Sequence, residues 1–532
     1  MWDAHSATGV GMGLVLFIIF FAGSFSLYRV ALDVWADPAL RGTPQYSTDD
    51  LVGPLFAEQP PAVGSDVRIF PAYGERRAAF LIYTPEGAER RAIKQISSTT
   101  GEELAPGGRS RMSLTLFQLH FLLQLRYILP GPTLIGIAVA GVFAVFMLFA
   151  VISGLLIHLK KLPKDWHTVR LKERRVRTLV ADVHTVLGLV GLPFAIGYAI
   201  TGAILAVMIM LAPQIDEHLF GGDAEVSELA QYGVIAPEAD STGQAASMLL
   251  PDAVQAGLPE SWAGVYLTRF QYKNWGDAGG TVTVYGAVNE TVTTKGKATL
   301  RAATGEMLVH NPPATPTALG ATYQAVHQLH YSDVGGWPMD ALLFFLSVAT
   351  SVVILTGNVL WIVVRRPKDK RATPLLHRIL GRLTIGVGCG LVAAVPVIFI
   401  LAQLLPDDMA SRKVWEESGF FIAWGIFIIA AFFGRSARRA VRWQLGLAAV
   451  LCAAAVLANG FVTGTWLWTA VAQDFWIVFW IDLGLLMAAT ILAVCVVQLR
   501  KREEQLPPTR VQTTAPKRPL RNVRIRTGAV AQ

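Results

Sequence analysis

The stretch DVHTVLGLVGLPFAIGYAITGAIL, residues 182–205, is long and apolar enough to cross a membrane as a helix. A histidine, His184, stands near its start, and glycines follow it four and eighteen residues later. The first apolar stretch of the chain begins with His5 and has glycines at the same two offsets. A matched pattern at two places predicts a duplicated unit of membrane helices.

The composition of the whole chain is typical of an integral membrane protein. Of its 532 residues, 53% are hydrophobic and only 16% are charged. A hydrocarbon core about 30 Å thick requires roughly 20 apolar residues per helix. The expected fold class is therefore a mainly α membrane protein with about eight transmembrane helices. These apolar stretches are 9–32, 134–157, 186–212, 340–364, 384–405, 419–433, 445–469 and 475–499.

The net charge of +8 indicates an orientation in the membrane and not nucleic-acid binding, because the basic residues cluster beside helix ends. The clusters are 158–177, 365–371, 434–442 and 500–526. With eight spans all four lie on one face, which we expect to be cytoplasmic together with both termini. The tail 501–532 is basic and rich in proline, so we expect disorder and a weak affinity for anionic membrane lipid.

Two long segments between the spans follow the same order of motifs. Each contains β-like runs, then a TGE turn at 99–104 or 303–308, and then a Leu-His pair that ends in His120 or His330. We therefore expect two β-containing external domains, inserted after helices 1 and 3. The expected divisions are 1–32 (helix 1), 33–115 (first external domain), 116–212 (helices 2 and 3 with a basic loop), 213–336 (second external domain), 337–366 (helix 4), 367–500 (helices 5–8) and 501–532 (tail).

The placement of the histidines indicates two candidate metal sites. His5 and His184 lie at the cytoplasmic ends of their spans, whereas His120 and His330 lie at the external ends. Imidazole can bind haem iron as an axial ligand, and haem requires an apolar crevice between helices. Two imidazoles leave no open position on the iron, which suits electron transfer better than oxygen activation.

Glycine stands one helical turn after several of these histidines. Gly9 follows His5 and Gly188 follows His184, and a third such pair begins at His377. Because residues four apart share one helical face, glycine there removes a side chain that would collide with a flat macrocycle. A histidine at a helix end often only forms hydrogen bonds at the interface or between helices, but the matched pairs favour haem. Zinc is less favoured, because the chain has no HExxH motif.

In its first two-thirds the chain resembles the PepSY-associated transmembrane helix family, the iron-regulated membrane proteins that include ferric-siderophore reductases. The resemblance rests on HSATGVGMGLVLFIIFFAGSF (5–25), TTGEELAPGG (99–108), LFQLHFLLQLRYILPG (116–131), VHTVLGLVGLPFAIGYAITG (183–202) and LHYSDVGGWPMDALLFFLSVATSVVILTGNVLW (329–361). It covers about residues 1–366 and continues more loosely through 375–391 into the last four spans.

The resemblance implies a protein of the bacterial inner membrane with two haems b, which passes electrons outward to ferric siderophores or other iron(III) chelates in the periplasm. It implies His5 and His184 as ligands of the inner haem, and His120 and His330 as ligands of the outer haem. The family usually has a basic residue after some of these histidines, and this chain has none there. Two alternatives stay open: His327 in place of His330, and His377 in place of His5.

The electron donor is expected to be a quinol or a separate reductase. No strand–GxGxxG–helix signature lies on the cytoplasmic side, and the internal loops are too short to fold a flavin or nicotinamide domain. Asp482, inside the last span, could carry a proton during quinol oxidation or could simply be hydrogen-bonded between helices.

Two other classes of function compete with the reductase. The external domains could make the protein a PepSY-type membrane sensor, scaffold or protease regulator without a cofactor. A transporter is a third possibility, although the sequence has no convincing broken helices and only prolines that permit kinks.

Overall fold

A computed structural model describes residues 1–129, 134–159, 176–288, 295–332, 335–365, 374–434 and 436–504. The predicted disordered tail beyond residue 504, and most of the basic loop after the second span, lie outside these residues. The helices are α1 (Trp2–Ser26), α2 (Arg29–Ala36), α3 (Thr48–Glu58), α4 (Met112–His120), α5 (Ile135–His158), α6 (Val176–Val190), α7 (Leu192–Phe220), α8 (Ala224–Tyr232), α9 (Pro251–Ala256), α10 (Ala318–Tyr331), α11 (Gly336–Val364), α12 (Leu375–Leu383), α13 (Gly390–Leu404), α14 (Arg412–Phe433), α15 (Ala437–Thr463), α16 (Leu467–Ala472) and α17 (Trp476–Glu504).

The prediction of a mainly α membrane protein with about eight spans is confirmed. Within the described residues, eight helices are long and apolar enough to cross a membrane. A π-helical turn, Thr384–Cys389, joins α12 and α13 into a single span. The spans are α1, α5, α7, α11, α12–α13, α14, α15 and α17.

The third span is divided near its start. α6 ends at Val190 and α7 begins at Leu192, with Pro193 in the first turn of α7. Proline has no amide hydrogen, so it is tolerated at the start of a helix but not in its interior. His184 therefore lies on α6, a separate helix from the long apolar α7.

The strands form one antiparallel sheet in the order β3-β2-β1-β4-β5-β6-β7. The first external segment supplies the first three strands, and the second segment supplies the other four. We call the side of the helical bundle that carries this sheet the sheet side. The strands are β1 (Val67–Phe70), β2 (Ala78–Tyr83), β3 (Ala92–Ser97), β4 (Tyr266–Lys273), β5 (Thr281–Ala287), β6 (Lys295–Arg301) and β7 (Met307–Asn311).

The two external segments are joined at the seam between β1 and β4. Ile69 of β1 lies opposite Phe270 of β4, and both side chains are buried in one core. Beside the sheet, the amide of Asp49 donates to the carboxylate of Asp252 at 3.2 Å, and the amide of Asp252 donates to Asp49 at 2.9 Å. The β-containing segments after helices 1 and 3 are thus confirmed, and they share one sheet because pairing covers one exposed edge of each.

The spans form two groups that share a core. In the first group, α1 packs against α5 and α11, α5 against α7, and α6 against α11. In the second group, α13 packs against α14 and α15, and α15 against α17. Phe17 of α1 and Leu116 of α4 lie in the same buried cluster as Phe399 and Phe420 of the second group. The short helix α4 therefore lies where the two groups meet.

Candidate functional site

The first pair of histidines lies on the side of the bundle opposite the sheet. His5 comes from α1 and His184 from α6, and their ring centroids are 6.2 Å apart with an angle of 68° between the ring planes. Two imidazoles that share one metal ion through nitrogen bonds of about 2 Å place their centroids roughly 6 Å apart. The separation of this pair therefore suits a single shared metal ion.

The second pair lies on the sheet side. His120 is the last residue of α4, and His330 lies near the end of α10. Their ring centroids are 6.1 Å apart and the ring planes are inclined by 35°. The structure thus brings together the same four histidines that the sequence motifs pair.

Three of the four rings are fixed by a hydrogen bond from Nδ1 to a backbone carbonyl of a neighbouring span. A carbonyl only accepts, so Nδ1 carries the proton and the neutral ring keeps the Nε2 lone pair for a metal. A carbonyl partner on the second nitrogen is the usual arrangement of histidines that bind metals. The bonds are His5 to Ala150 at 3.0 Å, His184 to Val353 at 2.9 Å and His120 to Ile19 at 2.8 Å.

The fourth ring reaches the same state through a hydroxyl. Nδ1 of His330 lies 2.9 Å from Oγ1 of Thr201 on α7. The hydroxyl of Thr201 donates its proton to the carbonyl of Gly197 at 2.8 Å. It must therefore accept the proton of His330 Nδ1, which again leaves Nε2 for a metal.

Each ring also packs against a glycine of a neighbouring span. At Gly23, Gly154 and Gly357 a Cβ would crowd the ring, whereas at Gly202 it would make an ordinary contact. In the sequence a small residue precedes each of these glycines, which predicts only close packing of helices and does not reveal the contact with the rings. The pairs are 22–23, 153–154, 201–202 and 356–357. The distances from the Cβ position to the nearest ring atom are 3.1 Å for Gly154 and His5, 3.1 Å for Gly357 and His184, 2.7 Å for Gly23 and His120, and 3.4 Å for Gly202 and His330.

The glycines that follow the histidines on their own helices have different surroundings. A Cβ at Gly9 would have no atom within 4 Å, and one at Gly188 would meet only Val353 Cγ1 at 3.7 Å. Their assignment as space for a macrocycle stays a prediction.

An apolar cavity adjoins the sheet-side pair. It is partly open to its surroundings, and both His120 and His330 contribute to its wall. Aromatic and aliphatic side chains form most of the remaining wall, among them Phe20, Phe194 and Leu205. The lining beside the two imidazoles is therefore mostly apolar, which is typical of sites for apolar ligands.

His327 and His377, the two histidines proposed as alternative ligands, each pack against an aromatic side chain. His327 stacks on Tyr331 with the ring centroids 4.3 Å apart, and His377 stacks on Trp361 at 4.6 Å. The structure pairs His120 with His330 and His184 with His5, so neither alternative enters a pair.

Asp482 is fully buried and accepts two hydrogen bonds. Nε1 of Trp35 donates to one carboxylate oxygen at 2.8 Å, and Nδ2 of Asn459 donates to the other at 2.9 Å. Of the two sequence interpretations, this geometry favours a hydrogen-bonded carboxylate between helices.

The donor set fits haem better than zinc. A structural zinc ion takes four ligands, whereas haem iron needs only two axial ligands from the protein. Among the described residues, no group of three or more His, Cys, Asp or Glu side chains is placed to hold a metal ion. Two imidazoles with apolar space beside them, as at His120 and His330, are what a haem with two histidine ligands would need from the protein.

The comparisons with known proteins agree with the extent of this unit. The family described as PepSY-associated TM region matches residues 2–364, which include both histidine pairs and the whole sheet. An uncharacterized protein of Pseudomonas aeruginosa, PA4219, is 25% identical over 342 residues, which are 62% of this chain and 82% of that relative. The chain is therefore a multi-pass membrane protein that belongs to the PepSY-associated transmembrane family.

Proposed function

We propose that this protein is a b-type haem protein of the bacterial inner membrane that moves electrons across the membrane and reduces iron(III) chelates. The substrate would be a ferric siderophore or another ferric chelate, reached on the sheet side. In this proposal the sheet side is periplasmic and both termini are cytoplasmic, in agreement with the clusters of basic residues near the opposite ends of the spans.

The observation that carries the proposal is the presence of equivalent histidine pairs at both ends of one unit of spans. On α1 alone, His5 belongs to one pair and Gly23 contacts the other. The eighteen residues between them correspond to about 27 Å of helix, close to the thickness of the hydrocarbon core. A single site would serve one surface, whereas two sites connect both.

The four histidines would hold one haem b at each end, with His5 and His184 on the inner haem and His120 and His330 on the outer haem. When bound, haem supplies a reversible one-electron couple, Fe(III)/Fe(II). The imidazoles would hold the iron through Nε2, because the hydrogen bonds of Nδ1 anchor each ring to a neighbouring helix and leave Nε2 for the metal. The apolar wall around His120 and His330 limits access of water.

The consequence for the substrate follows from the chemistry of iron. One electron converts Fe(III) to Fe(II), which hard oxygen ligands bind more weakly, so reduction promotes release of iron from the chelate. A quinol that is oxidised to the quinone yields two electrons and two protons, and it would therefore serve two ferric chelates. We propose a quinol or a separate reductase as the donor at the inner pair, and we propose no nucleic-acid partner.

Haem content of the purified full-length protein tests this proposal. After expression with sufficient haem, the wild type should show the absorption of a reducible b-type haem at two haems per chain. His184→Ala should lose the inner haem and His120→Ala the outer haem, and each variant should lose reduction of a ferric chelate driven by a quinol analogue. His218→Ala and His310→Ala, at two exposed positions, serve as controls and should keep both haems.

A colourless wild type would contradict the proposal and would favour a sensor or scaffold that acts through the sheet. Unchanged haem content in both His184→Ala and His120→Ala would contradict the assignment of the ligands.

A further inference from the structure

The helix that carries His120 is held at its other end by a carboxylate of the second group of spans. α4 has nine residues, begins at Met112 and ends at His120. Its N-cap residue, Arg111, makes no capping bond with its own side chain. Instead, Glu416 of α14 lies at this end of the helix, with its side chain fully buried.

Glu416 satisfies the start of α4 through two acceptor contacts. Its Oε1 accepts from the hydroxyl of Ser110 at 2.6 Å and from the amide of Arg111 at 3.2 Å. The amide of Met112 donates in turn to the hydroxyl of Ser110 at 3.0 Å. Amide groups at the start of a helix have no partner within the helix, and negative charge there is favourable. Glu416 therefore caps the start of α4, although it belongs to a distant part of the sequence.

The charge of Glu416 is balanced by an arginine that is itself firmly held. Nη1 of Arg412 lies 3.2 Å from Oε2 of Glu416, one helical turn away on α14. The same guanidinium donates to the carbonyls of Arg109 and Ala402, each at 2.6 Å. Separating a buried ion pair leaves both charges without compensation. Moving Glu416 away from Arg412 is therefore unfavourable, and the carboxylate is held in place.

The equivalent helix of the repeat needs no such contact. α10, which carries His330, begins after Thr317, whose own hydroxyl accepts from the amide of Gly320 at 3.0 Å. In the first repeat the N-cap residue, Arg111, makes no such bond, and Glu416 of α14 bonds both its amide and the local hydroxyl of Ser110. Through this contact, the last four spans support the helix that carries His120 of the sheet-side pair.

The body of α4 can transmit this constraint to His120. Met112, Leu116 and Leu119 are buried, and all three lie in the cluster that includes side chains of α13 and α14. Nine helical residues span only about 13 Å, over which a packed helix behaves as a rigid element. A shift at the capped end would therefore move the imidazole at the other end.

We propose that Glu416 is a positioning residue for the outer histidine pair, and that the last four spans thereby set the affinity of this pair for haem. The inference rests on the proposed function, since it concerns a haem held by His120 and His330. Glu416 does not touch that pair and acts only through α4.

The test compares Glu416→Gln with Glu417→Gln in the full-length protein. Glu417 is the neighbouring carboxylate and pairs with the side chain of Arg111 at 2.9 Å, so its variant controls for a lost charge at this place without loss of the bond from Glu416 to the amide of Arg111. Ser110→Ala is the second test variant, because it removes one link to the cap without unbalancing Arg412. Two quantities are measured: hydrogen exchange of the α4 amides in haem-free protein, and the rate of haem release from each site to excess apomyoglobin.

We expect Glu416→Gln to speed exchange in α4 but not in α10, and to speed release of the outer haem about tenfold while the inner haem is unaffected. Ser110→Ala should shift both quantities in the same direction by a smaller factor, and Glu417→Gln should leave both near the wild-type values. The outer haem is identified as the one that His120→Ala lacks.

Unchanged α4 exchange in Glu416→Gln and Ser110→Ala would overturn the capping role. Faster exchange with unchanged release of the outer haem would overturn the positioning role and leave the haem proposal intact. A wild type without haem would refute the proposed function, and with it the positioning role, while the exchange data would still decide whether Glu416 caps α4.

Discussion

The imidazole of His184 lies directly against Gly357 of the neighbouring span, with Cε1 3.1 Å from the place where a Cβ would stand. Nδ1 of the same ring donates to the carbonyl of Val353, four residues earlier on that span. His5 repeats both relationships with Gly154 and Ala150. In both cases one neighbouring helix accepts a hydrogen bond from the ring, and a glycine of the same helix leaves room for the ring.

Gly357→Ala should weaken haem binding at the inner pair. The added methyl group would have to displace the ring of His184, and changes that disturb the orientation of a metal ligand typically cost 10- to 100-fold in affinity. Haem release to apomyoglobin measures the effect, which should be confined to the inner site. Gly197→Ala is the control, because a Cβ there has no atom within 4 Å. Equal release rates in the two variants would refute this role for Gly357.

Thr201→Val should weaken the outer site, because it removes the hydroxyl that accepts the Nδ1 proton of His330. We expect a loss of affinity of about tenfold or more, with a changed electron paramagnetic resonance signal from the outer haem. Thr356→Val is the matched control, because Thr356 likewise precedes a glycine that lies against a histidine ring. The hydroxyl of Thr356 is 3.5 Å from His184 Nδ1, and that ring keeps its shorter bond to Val353. The prediction fails if both variants change their own sites equally.

Asp482→Ala should destabilise the protein without changing its haem content. It leaves the Trp35 donor unpaired, removes one of the two acceptors of Asn459 Nδ2, and removes the carboxylate whose charge offsets that of the buried guanidinium of Arg41. Breaking a buried polar network of this kind costs about 3–5 kcal/mol. Thermal unfolding in detergent measures the loss, with Asp408→Ala as an exposed control. Loss of one haem with unchanged stability would instead indicate a role in the redox site.

The external sheet should become less stable at low pH, because Asp277, which lies just before β5, is then protonated. Its carboxylate accepts from the hydroxyl of Thr242 at 2.7 Å and from the amides of Gly279 at 2.7 Å and Gly243 at 2.8 Å. These bonds lower the pKa of Asp277 from 3.8 to about 2. The unfolded chain therefore takes up the proton first, so the stabilisation is complete above pH 3.8 and is lost as the pH falls towards 2.

Asp277→Asn should remove this part of the pH dependence of unfolding, which tryptophan fluorescence can follow between pH 2 and 5. Asp240→Asn, at a largely exposed carboxylate, should keep the wild-type slope. Identical slopes for the two variants would exclude Asp277 as the source.

Ile69→Ala should loosen the strands of both external segments, since they share one core. Ile69 is fully buried on β1, and truncating such a side chain costs about 2–5 kcal/mol. Hydrogen exchange should rise in β5 and β6 as well as in β2. Ile93→Ala, at a half-exposed position on β3, should have little effect. Faster exchange confined to the first segment would mean that the segments fold separately.

The spans and the four histidines could be predicted because their signals are local or repeated. Apolar length identifies a span, and the equal offsets from His5 and His184 identify the repeat. The break between α6 and α7 at Gly191 was not predicted. In the sequence, a proline in the first turn of a new helix looks the same as a proline that only kinks a continuous one. The partners of the rings were also hidden: Gly357 and Thr201 lie on other helices, and no spacing within one helix reveals them.

The seam between β1 and β4 and the cap from Glu416 are equally beyond the sequence. Ile69 and Phe270 are about 200 positions apart in the sequence. Whether the two strands meet depends on where the spans between them place the chain. Glu416 resembles any polar residue at a membrane helix end until the start of α4 is seen beside it.

The shared sheet has a consequence for biogenesis. Strands β1 to β3 reach their side of the membrane first, but β4 is delivered only after two further spans have been threaded. Until then β1 presents an unpaired edge, which is a site for misassociation with other chains. Synthesis therefore includes an interval in which this edge is open, and a premature stop after α5 would leave three membrane-anchored strands without the rest of their sheet.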